Sequence, residues 1–110
     1  MTRTLSQEQW AGALARFTER NAGRTARMEV DSRDFGAQEE TLDAPLRGVS
    51  YDWHDRRISI MLGPLEGAEG HLTRTIDRPT EVAIIARDDG RDGVLHVANA
   101  DEDTLLVLAG

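Results

Sequence analysis

The chain contains no cysteine and no lysine, and its aromatic residues are two Trp, one Tyr and two Phe. Without cysteine there is no disulfide, no thiol nucleophile and no zinc ribbon. A cytoplasmic setting is the matching expectation. Without lysine there is no Schiff-base chemistry and no Walker A phosphate loop, since both need the amine. All 13 basic residues are therefore Arg. They are scattered, which fits a coding bias for Arg over Lys better than a bidentate arginine site. Long apolar runs are missing too: no stretch approaches the ~20 residues of a membrane span. The opening residues Met1-Thr2-Arg3-Thr4-Leu5-Ser6-Gln7-Glu8 turn polar at once, so no secretory leader is expected. Basic charge is scarce. Thirteen basic residues face 20 acidic ones, for a net charge of -7. That balance opposes nucleic acid as the default partner, and Arg56-Arg57 is too short to make a basic patch.

What the chain does have fits one domain over residues 1–110, with a helix over about 7–21 and a β-rich region over about 25–109. Ser6 and Gln9 stand at capping-box spacing, and Leu5 and Trp10 flank them as a hydrophobic staple. Trp10, Ala13, Leu14 and Phe17 then recur at helical spacing. Asn21-Ala22-Gly23 supplies a stop. From Gly23 the period changes to two. Met28 and Val30 alternate with Arg27, Glu29 and Asp31, and Ala37 to Leu42 follows a turn at Asp34-Phe35-Gly36. Val49, Tyr51 and Trp53 alternate with Ser50 and Asp52, and His54-Asp55-Arg56-Arg57 reads as a hairpin loop. Ile58 to Leu62 returns before a Gly-rich loop over Gly63 to Gly70. His71 to Ile76, Glu81 to Arg87, Val94 to Val97 and Thr104 to Leu108 complete the series. The predicted class is α+β: an N-terminal helix followed by a mainly antiparallel β-sheet of about seven or eight short strands, curled as a sandwich or partly open barrel.

The helix with Trp10 and Phe17 and the segment Val30 through Glu39 resemble a known pattern. So do Pro45-Leu46-Arg47-Gly48-Val49-Ser50-Tyr51-Asp52, Ile58 through Gly63 and His71 through Pro79. In that order, over nearly the whole chain, they resemble a small bacterial family, domain of unknown function 5335. The resemblance implies a free-standing bacterial single-domain protein, and it transfers no activity, ligand or catalytic residue. The resemblance implies a second His in many members where this chain has Arg74; if that His served a metal, its absence weakens a metal-binding reading here.

The candidate chemistry is thin. His54, His71 and His96 form no close pair, and a zinc site needs three or four converging ligands. Asp88 to Asn99 lacks an oxygen side chain at Gly90 and the bidentate Glu of a calcium loop. Asp34-Phe35-Gly36 spells a kinase triplet without the rest of a kinase. Glu39 and Glu40 point to opposite faces of a strand and do not share a substrate bond. Ser50 and Ser59 stand in no nucleophile elbow. Two constellations remain. Tyr51 and Trp53, two residues apart on one strand face, have the composition of an interface hot spot. His71 and Arg74, beside the 63–70 loop and with Asp52 and His54, would form a ligand pocket. The first carries the leading expectation: a non-enzymatic module that binds a protein partner or itself, a homodimer included, with no cofactor and no metal. The second carries the alternative, a small-molecule or metal-dependent enzyme.

Overall fold

The computed structural model describes residues 1–32, 43–63 and 71–109, and residues 36–39 as backbone. The turn expected at Asp34-Phe35-Gly36, the end of the strand expected to reach Leu42, the Glu39-Glu40 side chains and most of the Gly-rich 63–70 loop lie outside the described residues. The elements are β1 (Thr2–Leu5), a 3₁₀ turn (Gln7–Gln9), α1 (Trp10–Asn21), β2 (Thr25–Ser32), β3 (Gly36–Glu39), β4 (Ala44–Asp52), β5 (Arg57–Leu62), β6 (Leu72–Asp77), β7 (Glu81–Ala86), β8 (Asp92–Ala98) and β9 (Glu102–Leu108).

Every strand pair is antiparallel, and the sheet runs β1-β7-β8-β9-β2-β4-β5-β6, with β3 also paired to β2. Strands lie about 4.8 Å apart, so a flat sheet of this width would have very unequal axes. The molecule instead measures 32 × 31 × 29 Å. The sheet is therefore strongly curled. It is not closed into a barrel: among the described residues β1 and β6 end the path without pairing.

Two-residue alternation places one row of each strand inward. Met28 and Val30 on β2, Ile58, Ile60 and Leu62 on β5, Leu95 and Val97 on β8, and Leu106 and Leu108 on β9 are all buried. All of these but Val30 meet the α1 face made by Trp10, Ala13, Leu14 and Phe17 in one cluster. Phe17 and Leu14 are wholly inaccessible. Removing the Phe17 ring would cost about 3–5 kcal/mol by the usual cavity arithmetic.

The helix also does the work of a strand. Beyond Thr25 and Ala26, which face Pro45 and Ala44, β2 diverges from β4. The β4 backbone is then satisfied by α1 and the residues after it. Gly23 N–H donates to the Leu46 carbonyl (2.8 Å), and Leu46 N–H donates to that of Arg24 (2.8 Å). Val49 N–H donates to Thr18 Oγ1 (2.9 Å), which also lies 3.0 Å from the Val49 carbonyl. Gly48 lets the two backbones approach, because a Cβ there would stand 3.2 Å from Thr18 Cγ2. At the end of α1, Gly23 takes φ 90, which only glycine adopts freely.

Several expectations need correction. No strand was expected before the helix, yet Thr2–Leu5 pairs with Ile85–Val82. Only Leu5 of that strand is buried, so no alternation marks it, and the pairing is set by tertiary contact. Eight strands follow the helix, as expected, and β1 before it brings the total to nine among the described residues. The first three residues of the expected helix form a 3₁₀ turn, while Gln9 Oε1 accepts from Ser6 N–H at 3.0 Å. Trp53 lies past the end of β4, in the turn, rather than on the strand with Tyr51.

Candidate functional site

The β4–β5 turn spans residues 53–56, between the paired Asp52 and Arg57. Asp52 shapes it: one carboxylate oxygen accepts from the amides of His54 (3.0 Å) and Asp55 (3.3 Å). This is an Asx turn, in which a short carboxylate replaces a backbone acceptor. Arg56 closes the loop with φ 54, in the left-handed region that side chains other than Gly, Asn and Asp rarely enter.

Trp53 projects from this turn and is 66% exposed; with Met1 it is the only large hydrophobic exposed among the described residues. Its ring is not loose. It stacks on the His54 imidazole, with centroids 3.8 Å apart and planes 27° from parallel. Beside it, Tyr51 is half-buried and meets Trp10 edge-on, with centroids 5.2 Å apart and planes at 85°. Trp10 is itself buried, with its indole N–H on the Leu5 carbonyl at 3.2 Å. A groove of about 520 Å³ runs between the turn and the start of the helix, lined by Gln7, Glu8, Ala11, Tyr51, Trp53 and Arg56. One wall is therefore anchored to the core through Tyr51 and Trp10, and the other is an exposed aromatic ring.

The other side of the same turn borders a polar cleft of about 560 Å³. Its lining includes Asp55 from the turn, Arg57, Thr75, Asp77 and Arg78 along β5 and β6, and Asn99 to Glu102 from the β8–β9 turn. Arg57 Nε donates to Asp77 Oδ1 at 2.8 Å. That hydrogen bond and the Asp77 charge raise the Arg57 guanidinium above its ordinary value. Arg78 adopts φ 51 immediately before Pro79, and its N–H donates to the Arg56 carbonyl at 2.7 Å. The two left-handed arginines are thus joined. Sequence reasoning missed both, although Arg56 in a tight loop and Arg78 before a proline were the available signals.

The remaining expected pocket residues do not meet at one place. Asp52 and His54 stand at the Arg57/Asp77 end of the β5–β6 pair, and His71 precedes the Leu62/Leu72 end. Five residue steps separate those ends, roughly 16 Å at strand rise. His71 contacts the Arg47 guanidinium, which lies 2.8 Å from its Nδ1. Arg74 faces inward from β6 and pairs with Glu102 of β9 across the open seam of the sheet. His96 alternates with the buried Leu95 and Val97, is half-buried, and has Nε2 3.0 Å from Asp103 Oδ1. Among the described residues no His, Asp and Glu cluster has metal-binding geometry, and no helix is long and apolar enough to cross a membrane.

A polar clamp sits at the end of α1. Asp92 Oδ2 accepts from Asn21 Nδ2 (2.7 Å) and Arg20 Nε (2.9 Å). Arg24 Nη1 reaches Asn21 Oδ1 and the Asp92 carbonyl, each at 2.8 Å. Burial alone would raise the Asp92 carboxyl, but the hydrogen bonds from Arg20 and Asn21 and the charges of Arg20 and Arg24 outweigh it and hold it below its ordinary value. These hydrogen bonds tie the end of the helix to β8, while Arg24 Nε is buried without a partner among the described residues.

The model of a family described as a family of unknown function, DUF5335, matches residues 1–108 of the chain. No curated protein and no solved structure matches it.

Proposed function

Because the chain belongs to the DUF5335 family, whose function is unknown, we propose its role from its own surface: a non-enzymatic binding module that engages a protein partner, or a second copy of itself, through Trp53 and Tyr51. The observation that carries this is the exposure of Trp53 at 66% on a turn fixed by Asp52 and stacked against His54. Exposing an indole is costly in water. Tryptophan is also among the residues that dominate interface energetics when buried on binding. The groove beneath it has a rigid wall, because Tyr51 is braced by Trp10. A preorganised wall lowers the ordering cost of association. In the same reading the curled sheet is a partly open barrel whose rim carries the turn. A cytoplasmic setting fits a chain without cysteine.

The test is native mass spectrometry on gently purified protein, wild type against Trp53→Ala. The substitution removes an exposed ring and leaves the core intact. Wild type is expected to retain a second copy or one discrete heterologous chain, and Trp53→Ala is expected to appear as the bare chain. Identical spectra for the two proteins would contradict the proposal.

A further inference from the structure

The polar cleft borders a sheet edge whose hydrogen-bonding direction can be read from the pairing register. Arg78 N–H donates to the Arg56 carbonyl at 2.7 Å, while Arg57 faces Asp77. In an antiparallel ladder such a bond flanks a non-hydrogen-bonded pair. Arg57/Asp77 is therefore of that type, and so, two steps on each time, are Ser59/Thr75 and Met61/Thr73. Residues in such pairs turn their N–H and C=O away from the partner strand. Thr73, Thr75 and Asp77 thus present theirs along the outer edge of β6, where no strand pairs among the described residues.

One of these groups already shows what the edge accepts. The Asp77 carbonyl receives a hydrogen bond from Asn99 Nδ2 at 3.0 Å, the position a docked strand's N–H would take. Asn99 closes one end of the row, and the cleft continues from it along Thr75. Natural edges are commonly blunted by proline, lysine or a bulge. The run Leu72-Thr73-Arg74-Thr75-Ile76-Asp77 has neither proline nor lysine, its pairing with β5 is unbroken, and its one inward charge, Arg74, is paired with Glu102.

The charges around the slot select its occupant. Asp77 and Glu102 are engaged by Arg57 and Arg74. Asp55, which also faces Arg57, and Asp101 line the same cleft with Arg78. The whole chain carries -7, so a second copy would bring like charge to the same edge. A basic segment brings the opposite charge.

We propose that the outer edge of β6 is a docking slot for an extended, arginine- or lysine-bearing polypeptide segment, which adds to the sheet as a further strand. Backbone hydrogen bonds to Thr73 and Thr75 hold it, and alternate basic side chains reach Asp55 and Asp101. This is the strand-addition mode of peptide recognition. The slot lies on the opposite side of the β4–β5 turn from the Trp53 groove and does not depend on it.

The probe is a library of random decapeptides displayed on phage, selected against the whole chain. Enriched peptides are then synthesised and titrated by amide NMR. The expected peptides are basic at alternate positions, weaken as salt is raised, and perturb the amides of Thr73, Thr75 and residues 99–102. Thr75→Pro removes an outward N–H and spares the β5 ladder; it should weaken binding about tenfold, the equivalent of one edge hydrogen bond. Thr4→Pro, on the β1 edge, is the matched control and should bind normally. The pair Asp55→Arg and Asp101→Arg lies in exposed turns and tests the slot independently if Thr75→Pro does not fold. It should also weaken binding about tenfold. Trp53→Ala should bind these peptides unchanged, which separates this proposal from the preceding one. Enrichment of acidic or apolar peptides, no enrichment, or basic peptides that bind both slot variants normally would overturn it.

Discussion

At the scale of single residues, several polar side chains among the described residues are committed to structure. Asp92 is the clearest. Its side chain is only 13% exposed and is held by Arg20 and Asn21. Replacing it as Asp92→Asn keeps the shape and removes the charge. The expected loss is about 1–3 kcal/mol at neutral pH, the range for hydrogen bonds to a charged group, measured by urea unfolding. The pH dependence has a definite sign. The folded carboxyl titrates below its ordinary 3.8, so its contribution is complete above that value and is lost as pH falls through the folded value. The gap between wild type and Asp92→Asn should therefore be widest near neutrality and narrow in acid below 3.8. A gap independent of pH would contradict the assignment. Nothing in the sequence marked Asp92, because its partners lie 71 and 72 positions away. Trp53 differs from such residues. Its composition was legible as an interface candidate, but its place in the turn was not, since alternation through Val49, Tyr51 and Trp53 continues past the point where the Asx turn of Asp52 ends the strand.

At the scale of elements, the helix and the inner strands were legible because each carries its own period. Trp10, Ala13, Leu14 and Phe17 mark one face of α1, and all are buried. Ile58, Ile60 and Leu62 do the same for β5. The edges were not legible. Thr2, Arg3 and Thr4 of β1 are exposed on every side, so burial alternation cannot appear. Likewise Thr73 and Thr75 look like ordinary outward residues until the register shows that their backbone groups point outward too. Hydrogen exchange tests that register directly. Thr73 and Thr75 amides should exchange fast, while those of Arg74 and Ile76, bonded to β5, should be protected. The same alternation is expected on β1. There Met1 and Ala86 exchange hydrogen bonds of 2.8 and 3.2 Å, which turns the Thr2 and Thr4 amides away from β7. Uniform protection along β6 would show that its outer edge is already covered.

At the scale of the whole molecule, an antiparallel sheet curls around one core, with α1 filling the gap where β2 and β4 part company. The β4–β5 turn borders two surfaces of different chemistry. One is an aromatic groove beneath Trp53, and the other is an acidic slot along β6. The class of fold followed from the sequence because the change of period from helix to strand is a local signal. The gathering of both surfaces around residues 53–56 did not, because it depends on the order in which the strands pair. The central claim, that the protein acts by contact through Trp53, is tested most directly by placing a photo-crosslinking benzoylphenylalanine at position 53 in living cells, with the same residue at exposed Arg16 as the reference. The account predicts one discrete adduct from position 53, at the mass of a dimer or of a single partner, and none from position 16. The same diffuse labelling from both positions would contradict it.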